Sequence, residues 1–511
     1  MLASLSKSPS TLKLHASDNV AVAARPLAKG TVTPEGLRIS SEIPQGHKVA
    51  LDAIAEGAPV RKYGQVIGFA SQAIAAGEHV HTQNCAVGAL SLQHEVGRER
   101  REVMKADPAT LATFQGLVRP SGKVATRNYL AVLTSVNCSA AAANGIVDRF
   151  RQRGLGDFPN VDGVMATVHG QGCGMAGSGE GYDILQRTLA GFARHPNIAG
   201  ALILGLGCEV NQPKDLCEHQ GLLASNLLQT LSIQEAGGTS KAIERGVQLI
   251  EKLLPYANAV KREPVSASHL MLALQCGGSD GYSGITANPA LGAAVDLLVQ
   301  QGGTAILSET PEIYGAEHLL IQRAVSQAVA DKLLARLAWW ERYTKLHGAE
   351  MNNNPSPGNK AGGLTTILEK SLGAVAKSGT TPLVDVFEYA EPIATKGFVF
   401  MDSPGYDPCS ATGQIASGAN ILCFTTGRGS VFGCKPTPSI KLATSTGLYE
   451  RMQDDMDVNC GDIVDKGASI EAKGREIFEL ILRVASGEKS KSELLGIGDT
   501  EFVPWQIGAV M

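Results

Sequence analysis

From about residue 116 onward the chain repeats one pattern: a continuous apolar run, a glycine-rich loop, then an amphipathic stretch. The apolar runs fall at 129–136, 161–170, 199–207, 270–278, 302–309, 398–404 and 421–427. Runs of this length without polar alternation predict parallel strands covered on both faces. Segments 143–153 and 241–254 place apolar residues at helical spacing and charges between them, which predicts helices lying on those strands. Alternating strand and helix is the plan of a doubly wound α/β body, whose ligands bind beyond the carboxyl ends of the strands. A stretch dense in Glu, Lys and Pro near 255–268 divides this body into two lobes, 116–264 and 265–511.

The first part reads differently. Residues 12–24 alternate as a half-buried strand does, and 46–81 consist of short apolar segments between glycine-containing turns. Parallel crossovers need long helices and there is little room for them, so 12–86 is expected to be a small β-rich module. Residues 87–115 are charged and weakly periodic, a linker with room for one helix.

Composition narrows the function. The chain has 511 residues, of which 44% are hydrophobic and 18% charged, which excludes a disordered chain. A net charge of −4 offers no field for nucleic acid or an anionic membrane. No apolar run approaches the roughly 18 residues of a membrane span. Ten cysteines are too few for a disulfide scaffold, and the amino-terminal residues lack the apolar core of a signal peptide. A cytoplasmic location is expected, with a homo-oligomer the common state for a chain of this size.

The unusual residues gather in the loops that follow the strands: His169 to Gly174 with Cys173, Gly205 to Glu209 with Cys208, and Gln275 to Asp280 with Cys276 and Ser279. Ser308 to Glu312, Asn354 to Lys360 with Asn359, and Thr425 to Gly429 with Arg428 continue the series. Glycine lets backbone amides approach a ligand, and Lys360 and Arg428 suit a carboxylate. A single loop of this kind would be an ordinary tight turn; six in one chain point to a shared site. Gly172, Gly174 and Gly177 spell GxGxxG, but the first acid after the next strand is Glu209, well past the roughly 20 residues of a dinucleotide fingerprint. Cys138, Cys173, Cys208 and Cys276 at strand ends raise an iron–sulfur possibility, although the chain has no C-x₂-C pair. In the first module His79 and His81 share a strand face, and His15 and His47 could complete a metal site. Lys48 and Tyr63 beside them are acid–base candidates, with exposed loop residues as the plain alternative.

Several of these motifs are long. Residues 46–54, 62–70 and 77–84 resemble the SAF-type module of the altronate/galactarate dehydratase family, and 169–174, 205–209, 275–289, 354–363 and 424–429 resemble its catalytic body. The resemblance spans 12–511 and implies dehydration of a sugar acid to a 2-keto-3-deoxy acid. It also implies a divalent metal, typically iron(II) with manganese(II) or magnesium as alternatives, and no nicotinamide. A sulfolactate sulfo-lyase is related, with its SAF part on a separate subunit; fusion of the two parts here favours the dehydratases. His79-Val80-His81 with Asn84 resembles the altronate branch, whereas 411–418 and 478–488 resemble the galactarate branch.

Such a reaction removes a proton α to a carboxylate and expels the β-hydroxyl, which calls for a cation, a base and an acid. The expected metal ligands are His15, His79 and His81, with Cys208 and Glu209 as partners from the body. His47, Lys48, Tyr63, His169 and Cys173 are the expected catalytic groups, and Ser279, Asp280, Asn359, Lys360 and Arg428 the expected substrate contacts. Two other classes compete: a nicotinamide oxidoreductase, and a sugar-acid sensor, which would need fewer reactive groups.

Overall fold

The computed structural model describes residues 10–88, 92–107, 111–222 and 225–510. The amino-terminal module is β-rich, as its turn spacing predicts. One antiparallel sheet orders Thr11–Leu12, Val20–Ala23, Lys48–Ala50 and His79–Val80; a second orders Pro59–Lys62, Gln65–Ala70 and Cys85–Ala86. Val20, Ala50, Val60, Ile67 and Val80 are buried in the same hydrophobic core as Leu272, Leu291 and Leu320 of the body, so the module is packed into the body.

The first lobe carries a parallel sheet in the order Gly163–Thr167, Tyr129–Thr134, Ile198–Gly205, Leu228–Ser232. The helices Ala140–Arg153 and Thr239–Ala259 cover one face through Ile146, Phe150, Ile250 and Leu253. The helix Glu180–Ala193 covers the other and shares its core with Asp407–Ala416 of the second lobe. Covering on both faces is why these strands read as unbroken apolar runs.

The second lobe has seven parallel strands: Leu383–Phe387, Gly397–Met401, Thr304–Leu307, Met271–Cys276, Ile421–Thr426, Ser439–Ala443 and Val458–Asn459. The chain winds outward from Met271–Cys276 in one direction, then returns at Ile421–Thr426 to wind in the other. The order therefore reverses between these two neighbours, and the crevice beyond their carboxyl ends is where such folds bind ligands.

Two expected connectors are ordered differently. The described part of 87–115 forms no helix, and Thr113–Val118 is a strand. It pairs antiparallel with Arg262–Ser266 and Val124–Ala125, so the stretch near 255–268 supplies the end of a helix and a strand to a sheet joining the lobes. This strand was hidden because Thr113, Gln115 and Val118 face outward, which breaks its apolar run. Among the described residues no helix is long and apolar enough to cross a membrane.

Candidate active site

The strand-switch crevice is bounded by two glycine loops. Gly277 to Asp280 follows Met271–Cys276, and Gly427 to Gly429 follows Ile421–Thr426. The loops are stitched together where the amides of Gly427 and Arg428 donate to Gly278 O at 3.1 and 2.9 Å. Gly427 is required by this approach: a Cβ there would lie 2.1 Å from Asp280 Cγ. Asn359 Nδ2 donates to Ser279 O at 2.9 Å, which fastens a third loop to the pair. That third loop is more regular than its composition predicts. Pro357–Ala361 is a short helix whose capping box is formed by Ser356 and Asn359.

The amino-terminal module closes over this assembly. The Tyr282 hydroxyl donates to Ala24 O at 2.9 Å, and Gly281 N donates to Gly362 O at 2.8 Å. Antiparallel pairing sets Val49 opposite His79 and Lys48 opposite Val80, which continues to His47 opposite His81. Alternation then puts the three imidazoles on one face and Lys48 with Val80 on the other. His47 Nδ1 lies 3.0 Å from His79 Nε2, and the His47 and His81 rings are 4.9 Å apart. Each of the three offers a ring nitrogen within 4.8 Å of the others'. Burial, with the charge on Lys48 and the neighbouring rings adding to it, pushes His79 and His81 down to about 4. Neutral imidazole is the form that binds a metal. His81 Nδ1 is buried with no hydrogen-bond partner among the described residues, as expected of a nitrogen reserved for a ligand.

On the opposite face sits a buried charge cluster that the sequence reading missed. Glu369 accepts from Lys48 Nζ at 2.8 Å and from Lys62 Nζ at 2.9 Å, and all three side chains are at most 1% exposed. Thr365 adds its amide at 3.0 Å and its hydroxyl at 2.8 Å. Burial alone would raise the Glu369 carboxyl, but the two ammonium groups hold it far below the usual range. One carboxylate serves two lysines, and burial pulls Lys48 below its ordinary value. Glu369 and Lys370 adjoin in the otherwise apolar stretch 364–376, which was the available signal.

A second group lies under the first loop. Cys276, Glu309 and Glu312 are buried with ligand atoms within 4.8 Å. Lys377 Nζ donates to Cys276 Sγ at 2.9 Å, Lys370 pairs with Glu312, and Asn354 Nδ2 donates to Glu312 at 3.0 Å. Glu309 has a left-handed backbone (φ 73°), and both its carboxylate oxygens are buried without a partner among the described residues. Burial and the nearby Glu312 push its carboxyl well above the ordinary value.

Of the expected site residues, His47, His79 and His81 meet beside the loops carrying Ser279, Asp280, Asn359, Lys360 and Arg428. His47 Nε2 donates to Ala361 O at 3.2 Å, and Arg428 is exposed at the mouth. The Asp280 oxygens are taken by the Tyr282 and Ser283 amides and the Ser283 and Thr444 hydroxyls, so Asp280 braces its loop. Tyr63 packs against Gly284 and stands in the charge cluster's surroundings. Five expected residues need correction. His15 does not join the histidines: it is exposed, its Nδ1 2.8 Å from Ser17 Oγ, and His47 takes its place. His169 is buried in the first lobe, donating from Nε2 to Thr134 O at 2.9 Å and accepting from Gln171 N at Nδ1, which leaves no nitrogen for proton transfer. Cys173 and Cys208 are exposed on first-lobe loops outside the histidine group. Glu209 is consumed there by the Ser135 hydroxyl at 2.7 Å and the amides of Leu206 and Gly207.

Three family models cover most of the chain: the altronate/galactarate dehydratase SAF domain over 9–88, the D-galactarate dehydratase/altronate hydrolase second domain over 116–258, and the D-galactarate/altronate dehydratase C-terminal domain over 267–510. The chain belongs to the altronate/galactarate dehydratase family. Its relatives include an altronate dehydratase of Bacillus subtilis, 37% identical over 94% of this chain and 95% of the relative. A galactarate dehydratase (L-threo-forming) of Escherichia coli is 37% identical over 94% and 93%, and an altronate dehydratase of Escherichia coli 36% identical over 94% and 96%. The chain is therefore a hydro-lyase of the sugar-acid dehydratase type.

Proposed function

We propose that this hydro-lyase converts altronate to a 2-keto-3-deoxy acid in the crevice beneath His47, His79 and His81, and that these imidazoles hold a divalent cation, iron(II) by preference. The observation that carries the reading is the convergence of three neutral imidazoles, one with an unpartnered buried nitrogen, over the strand-switch loops. When bound, the cation would supply charge neutralisation for the substrate carboxylate and the enediolate that forms on loss of the α-proton.

The chain's own residues supply the rest. Arg428 at the mouth and Lys360 on the capped helix are the cations available to a substrate carboxylate. His47 donates from Nε2 to Ala361 O, which braces the ring and leaves the lone pair at Nδ1, beside His79 Nε2, for the cation. Lys48 stands on the strand face away from the imidazoles, its fully buried Nζ held by Glu369 and Gly363 O, and so supports the histidine strand rather than meeting substrate. Closing of the module over the loops keeps the crevice away from bulk water, which strengthens every charge interaction inside it.

Galactarate is the second reading, supported by the relative of that name at equal identity and by the resemblance of 411–418 and 478–488. The histidine pair favours altronate. His81→Ala tests the metal assignment. Cobalt(II) or iron(II) affinity measured by equilibrium dialysis should fall at least about tenfold, with the rate falling in parallel. Unchanged affinity and rate would remove His81 from the site.

A further inference from the structure

The chain has ten cysteines, and three of them, Cys138, Cys173 and Cys208, are exposed; Cys217 is half-buried and the rest are buried. The exposed three occupy the loops at the carboxyl ends of Tyr129–Thr134, Gly163–Thr167 and Ile198–Gly205, which lie side by side in the first-lobe sheet with Tyr129–Thr134 in the middle. From these placements we infer that Cys138, Cys173 and Cys208 hold a 4Fe–4S cluster through three thiolates, leaving its fourth iron open to an outside ligand.

The loops are bound to one another next to each cysteine. Asn137, which precedes Cys138, donates from its amide to Gln171 O (3.0 Å) and from Nδ2 to His169 O (3.0 Å). Asn211, just past Cys208, donates from its amide to Gly172 O at 3.1 Å and from Nδ2 to Ser135 O at 2.9 Å. Gly172, the neighbour of Cys173, runs so close over the middle loop that a Cβ would stand 2.3 Å from Ser135 O. The first glycine of this GxGxxG is thus spent on bringing the Cys173 loop against the Cys138 loop. Glu209 fixes the Cys208 loop from below through Ser135 and the Leu206 and Gly207 amides, and His169 fixes the turn before Cys173.

The chemistry of the set points to iron and sulfide. Three thiolates without a carboxylate or imidazole partner are soft ligands, and softness selects iron–sulfur clusters, zinc or copper(I). Glu209 and His169, the hard and borderline donors nearby, are already engaged. Separate exposed loops with small glycine-rich backbones leave room for a body larger than one ion, and Gly170 and Gly179 have nothing within 4 Å of an added Cβ. Three ligands in place of four leave one iron without a protein donor. This site is separate from the histidine group of the amino-terminal module.

The test uses the full chain purified without oxygen and reconstituted with equal amounts of iron(II) and iron(III), and with sulfide. The wild type should gain broad visible absorption, with iron and sulfide bound in equal amounts. Ferricyanide should then withdraw one electron, and the resulting cubane should release its open iron as iron(II), leaving a 3Fe–4S cluster with its own paramagnetic signature. Cys173→Ser and Cys208→Ser should lose the chromophore while retaining the wild-type circular dichroism, and Cys217→Ser and His81→Ala should keep it. Absence of sulfide from the reconstituted protein, binding of a lone iron or zinc, or a chromophore that survives the triple serine variant would overturn the inference. Persistence in His81→Ala separates this result from the metal site proposed above.

Discussion

Glu369→Gln is the perturbation whose cost follows most directly from the geometry. The carboxylate is fully buried and accepts four hydrogen bonds: from Lys48, Lys62, and the amide and hydroxyl of Thr365. Glutamine keeps the volume but removes the only negative charge facing two buried ammonium groups. Breaking a buried pair in this way costs about 3–5 kcal/mol, mostly because the partner charge is stranded. The two lysines sit one on each sheet of the amino-terminal module, and Glu369 sits on the body helix Ile367–Val375, so the loss should appear as weaker docking of the module. Denaturant unfolding followed by Trp fluorescence and by proteolysis of the module would measure it. The pH dependence gives a second sign. With Glu369 gone, burial lowers both lysines relative to the unfolded chain, so the unfolded state binds more protons and the variant gains stability as pH rises toward 10. The wild type, whose Glu369 is held low, keeps its contribution at neutral pH and loses it only at strong acid. Adding Lys62→Met to Glu369→Gln removes one stranded charge and should return part of the loss. A Glu369→Gln protein within about 1 kcal/mol of wild type, or a double variant no better than the single, would refute the reasoning.

Three further outcomes are expected. Gly427→Ala should lower kcat/KM at least about tenfold with little change in unfolding, since its Cβ would crowd Asp280 and open the crevice loops. Arg428→Ala should raise KM for the sugar acid on the order of tenfold while sparing kcat, the signature of a lost ground-state anchor. Acid should destabilise the first lobe: burial pushes His169 down to about 4 from 6.5, so the unfolded chain takes up the proton first. Stability is complete above about 6.5 and declines toward pH 4, by about 3 kcal/mol for this residue; His195, pushed down to about 3, adds a loss over the same range that continues below pH 4. A flat stability between pH 7 and 4.5 would contradict this.

Much of the body was legible because its central strands are buried on both faces. Leu130 to Leu133 and Leu272 to Leu274 are at most 1% exposed, and such positions admit only apolar residues. The strands that escaped notice lie at or near sheet edges. Leu228–Ser232 and Leu383–Phe387 bury one side only, and Ser439–Ala443 carries Lys441 at its centre. In the site, the strand period revealed that His79 and His81 share a face, but pairing register was needed to bring in His47 and dismiss His15. Lys62 and Glu369 were silent in sequence because a buried charge is recognisable only with its partner in view, and the loop 308–312 offered Glu309 and Glu312 without showing that they are buried beside Lys370 and Lys377. The loop cysteines were read as chemistry-bearing, yet their grouping in the first lobe follows from strand order alone.

The central claim is dehydration of a sugar acid under a histidine-held metal. Its most direct test incubates the protein without oxygen with altronate or galactarate, with iron(II), manganese(II) or a chelator, and assays for 2-keto-3-deoxy acid. The account predicts product from altronate that needs the metal and falls away in His79→Ala and His81→Ala. Product that persists in those variants and in chelator would contradict it, as would turnover of galactarate alone.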